Sequence, residues 1–291
     1  MKEIVILSGK GGTGKTTTAA GFAVLAGRCV VADADVDAPD LHLLLHPKKV
    51  DGGEFFSGYT AIRDEELCNR CGLCRSTCRF DAIDENLRIS PLECEGCGAC
   101  TLVCPNGAIK MQEAIAGEWF IGQVFTGLMV YAKLKPGKGS SGKLVSLVRG
   151  KARAKCREDG LELLITDGPP GIGCPVIAAV GGASLAVVVT EPTAAGLHDL
   201  ERVIGVCRHF RVPAAVVINK ADLNLPVAGR IKSFCENISV PVLGEIPYDQ
   251  DVTESIRYGR PLVMHSRGPA AQAIEEVWKE AKRRLEQVRP S

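Results

Sequence analysis

Residues 4–17 read Ile4-Val5-Ile6-Leu7-Ser8-Gly9-Lys10-Gly11-Gly12-Thr13-Gly14-Lys15-Thr16-Thr17. The apolar run Ile4–Leu7 predicts a short buried strand. Gly9 to Thr16 then fits G-x-x-x-x-G-K-[ST], a phosphate-binding loop. Glycines let such a backbone curl until its N–H groups point at phosphate oxygens. Lys15 is placed to reach the β- and γ-phosphates, and the Thr16 hydroxyl to bind Mg²⁺. Lys15 to Gly27 continues as a helix, with Ala19, Ala20, Phe22, Ala23 and Leu25 supplying its apolar positions. Strand, loop and helix follow in the order that phosphate binding requires.

The same grammar recurs outward from this stretch. Cys29–Ala32 ends in Asp33, and Leu163–Thr166 ends in Asp167. Ala186–Thr190 ends in Glu191, Ala214–Ile218 in Asn219, and Val240–Ile246 in Pro247. Continuous apolar strands separated by helical segments predict an α/β fold. Its sheet is mostly parallel, of the P-loop nucleotide-hydrolase kind, with helices on both faces. Polar residues gather at the carboxyl ends of the strands, where open α/β sheets place ligands. From Ala270 onward, Ile274, Val277, Trp278, Ala281, Leu285 and Val288 recur at helical spacing. This stripe is expected to pack on the sheet rather than lie on a membrane. The uncharged stretch Gly171–Thr190 is as long as a membrane span. It holds Pro175, Gly181 and Gly182 and divides into helical and strand halves, so it reads as buried core.

Residues 55–113 break the pattern. They contain Cys68-x2-Cys71-x2-Cys74-x3-Cys78 and Cys94-x2-Cys97-x2-Cys100-x3-Cys104, followed by Pro105. Cys78-Arg79-Phe80-Asp81-Ala82-Ile83 matches Cys104-Pro105-Asn106-Gly107-Ala108-Ile109. A short internal repeat at this spacing predicts a two-fold module. It is inserted into a host domain formed by 1–54 and 114–291. Cys₄ sites also bind zinc, but two such runs in tandem are the spacing of iron–sulfur ligands. Lys133 to Lys143, rich in Gly, Ser and Lys, reads as a flexible surface loop.

Composition narrows the classes. The chain has 291 residues, of which 46% are hydrophobic, enough to build a large core. Its formal net charge of +1 gives no reason to expect nucleic acid or an acidic membrane as partner. Met1 to Val5 has no signal-peptide layout. Eight of the thirteen cysteines are clustered at ligand spacing rather than spread as a disulfide framework, which suits a reducing cytoplasm.

Lys10, at the second position of the loop, marks a deviant Walker A motif. Here the chain resembles the MinD/ParA/Mrp and nitrogenase-iron-protein class of dimeric ATPases, over residues 1–50 and 115–265. The resemblance implies ATP and Mg²⁺ as ligands and a homodimer with nucleotide at its interface. It implies that Gly11, Gly12, Thr13, Gly14, Lys15, Thr16 and Thr17 cradle the phosphates. Lys10 would touch the nucleotide of the facing subunit. Asp33-Ala34-Asp35 resembles switch I, with Asp35 orienting the attacking water. Asp167-Gly168-Pro169-Pro170-Gly171 resembles Walker B and switch II, with Asp167 holding Mg²⁺ through water. Asn219-Lys220-Ala221-Asp222 resembles the base-side loop, with Asn219 as the base contact and Pro247 nearby. The same tetrapeptide occurs in GTPases, where the Asp reads guanine. Lys10, Lys15 and Asp35 are thus the candidate catalytic residues.

The whole chain resembles MinD-superfamily ATPases with an inserted bacterial-type ferredoxin domain, a small α+β module. That resemblance implies two [4Fe–4S] clusters with crossed ligation. Cys68, Cys71, Cys74 and Cys104 would hold one. Cys94, Cys97, Cys100 and Cys78 would hold the other. Arg79 departs from the usual Cys-Pro. Cys174, just past switch II, has the offset of a bridging ligand in the nitrogenase iron protein, but no second cysteine matches. It reads as a small buried residue, as do Cys29, Cys156, Cys207 and Cys235. The function implied is an ATPase that couples nucleotide state to electron transfer, with a redox or iron–sulfur protein as partner. An Mrp-like cluster carrier or scaffold and a MinD-like positioning factor are the alternatives.

Overall fold

A computed structural model describes residues 1–288. Its strands are β1 (Lys2–Ser8), β2 (Cys29–Asp33), β3 (Lys48–Arg63), β4 (Ile109–Val124), β5 (Gly127–Leu134), β6 (Leu163–Pro170), β7 (Leu185–Thr190), β8 (Ala214–Asn219) and β9 (Val242–Ile246). Its helices are α1 (Lys15–Ala26), α2 (Leu41–Leu45), α3 (Leu73–Thr77), α4 (Ala99–Leu102), α5 (Ser141–Glu158), α6 (Cys174–Val180), α7 (Ala194–His209), α8 (Leu225–Asn237), α9 (Gln250–Arg257), α10 (Leu262–His265) and α11 (Pro269–Gln287). The sheet order is β3-β4-β5-β2-β6-β1-β7-β8-β9. Pairing is parallel from β5 through β9.

Two compact units emerge. The first comprises Met1–Gly52, Trp119–Lys133 and Ser141–Ser291, of which residues up to 288 are described. The second comprises Gly53–Glu118 and Leu134–Ser140. The boundaries fall inside β3, β4 and β5, so these strands carry the chain from one unit into the other.

In the first unit both sheet faces are covered, which is why its strands are apolar without alternation. Ile4, Ile6, Val31, Ile165, Val187 and Val189 enter one core with Phe22 of α1 and Ile274, Val277, Trp278, Ala281 and Leu285 of α11. The intervening Val5, Leu7, Val30, Leu164 and Val188 are just as buried. Phe22 and Trp278 meet with ring centroids 5.1 Å apart. The terminal stripe therefore packs on the sheet; Val288 lies just past the helix and is only partly covered. Gly171–Thr190 folds as α6 followed by β7. Among the described residues no helix is long and apolar enough to cross a membrane.

One charged group lies deep in this unit. Glu3 is 1% exposed and accepts hydrogen bonds from Arg149 (2.8 Å), Arg153 (2.6 Å) and the Thr166 hydroxyl (2.8 Å). Arg149 is itself buried and also donates to the Gly181 carbonyl. The cluster ties β1, α5, β6 and the end of α6 together.

The second unit has a small core of Ala61, Cys74, Ile83, Leu87 and Ile109. Cys68, Cys78, Cys94, Cys100 and Cys104 pack against it. The chain segment Leu134–Ser140, expected as part of a loop, belongs to this unit: Lys138 donates to the Pro91 carbonyl and Ser57 to Ser140.

Candidate functional site

The phosphate-binding loop joins β1 to α1 at the centre of the sheet, between β6 and β7. Ser8 Oγ donates to the Lys10 carbonyl at 2.6 Å, and Thr18 Oγ1 to the Gly14 carbonyl at 2.9 Å. Gly14 has φ 95°, and a Cβ there would collide with the Asn219 carboxamide. Only glycine meets both demands. No acidic side chain occupies the first turn of α1, so its N-terminal N–H groups and dipole are left for an anion. A cavity of about 630 Å³ opens over this loop. Gly11, Gly12, Gly14, Lys15, Thr16, Thr17, Asp35, Pro170, Asn219 and Pro247 are among the residues that line it.

Asp35 and Asp167 lie beside Lys15, and Asp33 lies beside both of them. Lys15 is 5% exposed and its Nζ lies 3.8 Å from Asp35 Oδ2. Asp33 and Asp167 are partners across the β2–β6 pairing, and both are buried. Asp33 accepts from the N–H groups of Asp35 (3.2 Å) and Leu41 (3.1 Å). Burial, with Asp167 and Asp35 alongside, holds the Asp33 carboxyl well above the ordinary range. Burial likewise raises Asp167 to about 6, opposed by Lys15 and by a hydrogen bond from Thr16. Asp35 is raised by burial, with Lys15 opposing. Asp167 Oδ1 is buried without a partner. A buried lone oxygen next to the Thr16 hydroxyl fits a hard divalent cation such as Mg²⁺, which takes oxygen ligands and keeps several waters.

Asn219 and Pro247, the residues expected on the base side, both line the cavity. Asn219 at the end of β8 donates to the Thr13 carbonyl at 2.8 Å and accepts from the Lys220 N–H at 3.0 Å. Its carboxamide therefore braces the phosphate loop while its body lines the cavity. Asp222 accepts from the Tyr248 N–H at 2.6 Å. The aspartate that reads guanine in GTPases thus has an oxygen committed to the chain itself. Pro247, Tyr248, Asp249, Val252 and Ile256 close this end.

Lys10 is not free. Its Nζ lies 3.2 Å from Glu191 Oε2, while Lys220 Nζ lies 2.6 Å from Glu191 Oε1. Asp33, paired with Asp167, and Glu191, bound to Lys10, stand beside the loop although local sequence gives neither a role. Their position at strand ends beside the loop was the available signal.

The cysteine-rich unit holds a second candidate site. Residues Arg70, Gly72 and Asp81 have φ of 59°, 78° and 51°, and Gly96, Gly98 and Gly107, each 26 positions later, have 69°, 75° and 60°. The two runs therefore share one backbone shape as well as one spacing. Left-handed residues turn successive N–H groups to one side, as anion-binding nests do. Cys94, Cys97, Cys100 and Cys78 line one internal cavity. Cys94 Sγ accepts from the Ala61 N–H at 3.5 Å and Cys104 Sγ from the Ala108 N–H at 3.3 Å. Cys68 and Cys71 lie close enough to Cys74 to act on its charge. Asn106, two residues past Cys104, donates to the Leu67 carbonyl beside Cys68 at 3.0 Å. A hydrogen bond from Arg63 draws the Cys68 thiol below its ordinary value, whereas burial raises Cys74 and Cys100.

All thirteen thiols are free. Among the described residues, no three His, Cys, Asp or Glu side chains converge on a single metal-ion position. A cubane attaches each thiolate to a different iron, so it requires spaced sulfurs around a common void rather than convergence on a point. Cys94, Cys97, Cys100 and Cys78 share one small cavity. Cys29, Cys156, Cys207 and Cys235 are buried, but Cys174 is exposed, contrary to expectation. It is the first residue of the short α6, where the chain leaves the core.

A parallel sheet with a phosphate loop at its centre, a buried aspartate beside the loop threonine, and a lysine second in the loop define a P-loop ATP-binding protein. The family model for the CobQ/CobB/MinD/ParA nucleotide-binding domain matches residues 4–262. The chain belongs to this family, whose MinD and ParA branches are ATPases. It is 34% identical over 289 residues to an uncharacterized protein of Methanocaldococcus jannaschii, covering 96% of each. It is 25% identical to the iron-sulfur cluster carrier protein of Pyrococcus abyssi, covering 99% of this chain and 88% of that one. The septum site-determining protein MinD of Pyrococcus horikoshii, solved with Mg-ADP, shares the fold with a TM-score of 0.60 at 20% identity, covering 100% of this chain and 99% of the other.

Proposed function

We propose that this chain is a homodimerising ATPase that carries two [4Fe–4S] clusters and uses its nucleotide state to govern electron passage to a redox or iron–sulfur protein partner. The observation that carries the reading is the eight-cysteine repeat, with its matched left-handed turns, in the same chain as a phosphate loop whose second residue is Lys10. Cys68, Cys71, Cys74 and Cys104 would hold one cluster, and Cys94, Cys97, Cys100 and Cys78 the other. Such clusters supply one-electron transfer.

The remaining steps belong to the chain's own side chains. Gly11 to Thr17 present N–H and hydroxyl groups to the phosphates, and Lys15 balances their charge. Thr16 and Asp167 hold Mg²⁺. Asp35 orients water toward the γ-phosphate. Lys10, reaching from the second subunit, adds charge on the transferring phosphoryl group, which preorganised cations stabilise most strongly where water is excluded. Asp222 is engaged by Tyr248, which supports ATP over GTP.

A cluster-carrier role is the second reading. It is favoured by the exposure of Cys71 and Cys97, and by the Pyrococcus abyssi relative. Anaerobic purification with iron and sulfide analysis tests the proposal. About eight iron atoms per chain are expected from two four-iron cubanes, together with ATP binding that Lys15→Ala abolishes. Clusters that leave intact for an apo-acceptor would favour the carrier. Stoichiometric zinc without iron after reconstitution would refute both cluster readings.

A further inference from the structure

We propose that Glu191 is a positioning residue that holds Lys10 within its own subunit and so sets how readily Lys10 reaches the nucleotide of a second copy. This rests on the reading of Lys10 as a residue that acts across the dimer.

The geometry is specific. β7 lies beside β1 in the sheet, so Glu191, directly after β7, stands next to the phosphate loop. One carboxylate oxygen meets Lys10 Nζ at 3.2 Å, and the other meets Lys220 Nζ at 2.6 Å. Lys220 is fixed from behind: its N–H donates to Asn219 and its ammonium lies 3.5 Å from the Gly12 carbonyl. Glu191 and Lys220 thus form a stationary base, to which Lys10 adds as the outer member. The Glu191 side chain is 14% exposed and that of Lys10 is 37% exposed.

Two consequences follow. Gly9 is packed against Asp199 of α7 so closely that a Cβ would overlap it. The backbone leading into Lys10 therefore has little room to shift, and Lys10 changes partner by rotating its side chain. When it leaves, Glu191 keeps Lys220, so no carboxylate is stranded without a cation. Release is therefore reversible and cheap enough for nucleotide at a dimer interface to drive. A partly exposed ion pair contributes up to about 1 kcal/mol, or roughly fivefold in an equilibrium. Both subunits must open this contact when a symmetric dimer closes.

The test is ATP-dependent dimerisation of the full chain, measured by sedimentation with Mg²⁺ and a non-hydrolysable ATP analogue. Glu191→Gln keeps the shape and removes the charge. It should lower the protein concentration at half-dimerisation severalfold, up to about twenty-five-fold, since two contacts worth up to about fivefold each open per dimer. The gain should vanish in the Glu191→Gln, Lys10→Ala double variant, whereas a general loosening of the loop would persist there. If Lys10→Ala alone dimerises and hydrolyses ATP like the parent chain, the cross-subunit reading of Lys10 falls. If Lys10→Ala is impaired but Glu191→Gln dimerises no more readily than the parent, only the role of Glu191 falls.

Discussion

Lys15 Nζ and Asp35 Oδ2 stand 3.8 Å apart, which joins the lysine of the phosphate loop to the segment that follows β2. One residue has come from the start of α1 and the other from beyond the end of a different strand. Their meeting shows that the loop and the second strand end build one site. Lys15→Ala should abolish ATP binding, because among the described residues Lys15 is the only buried cation that lines the cavity over the loop. Asp35→Ala should keep ATP binding and lose most hydrolysis, by roughly a hundredfold or more if Asp35 positions the water. Equilibrium binding of a fluorescent ATP analogue and steady-state phosphate release separate the two outcomes.

Burial raises Asp167 from 3.8 to about 6, and pushes its neighbour Asp33 the same way. Between roughly pH 4 and pH 6 the folded, metal-free protein therefore holds protons that the unfolded chain has released. The contribution of these carboxyls to stability is present at the acid end and is lost as pH rises through the folded value. Mg²⁺ held at Asp167 and Thr16, as proposed above, would compensate the ionised form. Thermal stabilisation by Mg²⁺-nucleotide should accordingly be larger at about pH 7.5 than at about pH 5. Calorimetric melting with and without Mg²⁺-ADP at both pH values checks this; equal gains would contradict it.

Arg149→Ala should destabilise the fold by about 3–5 kcal/mol, because it leaves the buried Glu3 carboxylate short of a partner. Arg153 retains its bond to the other carboxylate oxygen, so the lower end of that range is expected. Glu3 lies at the amino end of β1 and the phosphate loop follows its carboxyl end, so ATP affinity should change little where the protein remains folded. Urea unfolding beside a nucleotide titration separates stability from binding.

Much of this was legible in the chain. The strand Ile4–Leu7, the loop to Thr16 and the acidic strand ends at Asp33, Asp167 and Glu191 follow from local pattern. So does the stripe from Ile274 to Leu285. The long strands β3 and β4 did not stand out. Lys48–Arg63 carries Gly52, Gly53 and several charges, and most of its side chains are exposed or half-covered. Backbone pairing, rather than an alternating apolar face, makes it a strand. In α5, Leu144, Val145, Val148, Ala152 and Cys156 carry a helical period and are buried. The ion pairs of Glu191 with Lys10 and Lys220, and the exposure of Cys174, depend on tertiary placement that no local window contains.

Asp35 leads through α2 into β3, and β3 carries the chain into the cysteine-rich unit. His42 of α2 stacks on Tyr131 of β5, and Phe120 of β4 stacks on the same ring, with centroids 5.6 and 5.1 Å apart. In the proposed account, a change at Asp35 on nucleotide binding would reach the cysteine-rich unit through these strands. The most direct measurement is a nucleotide titration on anaerobic protein in its fully oxidised and fully reduced states, with Lys15→Ala as control. Affinities should differ several-fold between the two states. Linkage then requires ATP to shift at least one cluster potential by the matching factor. Identical affinities in both states, with potentials indifferent to ATP, would contradict an ATPase whose nucleotide state governs electron passage.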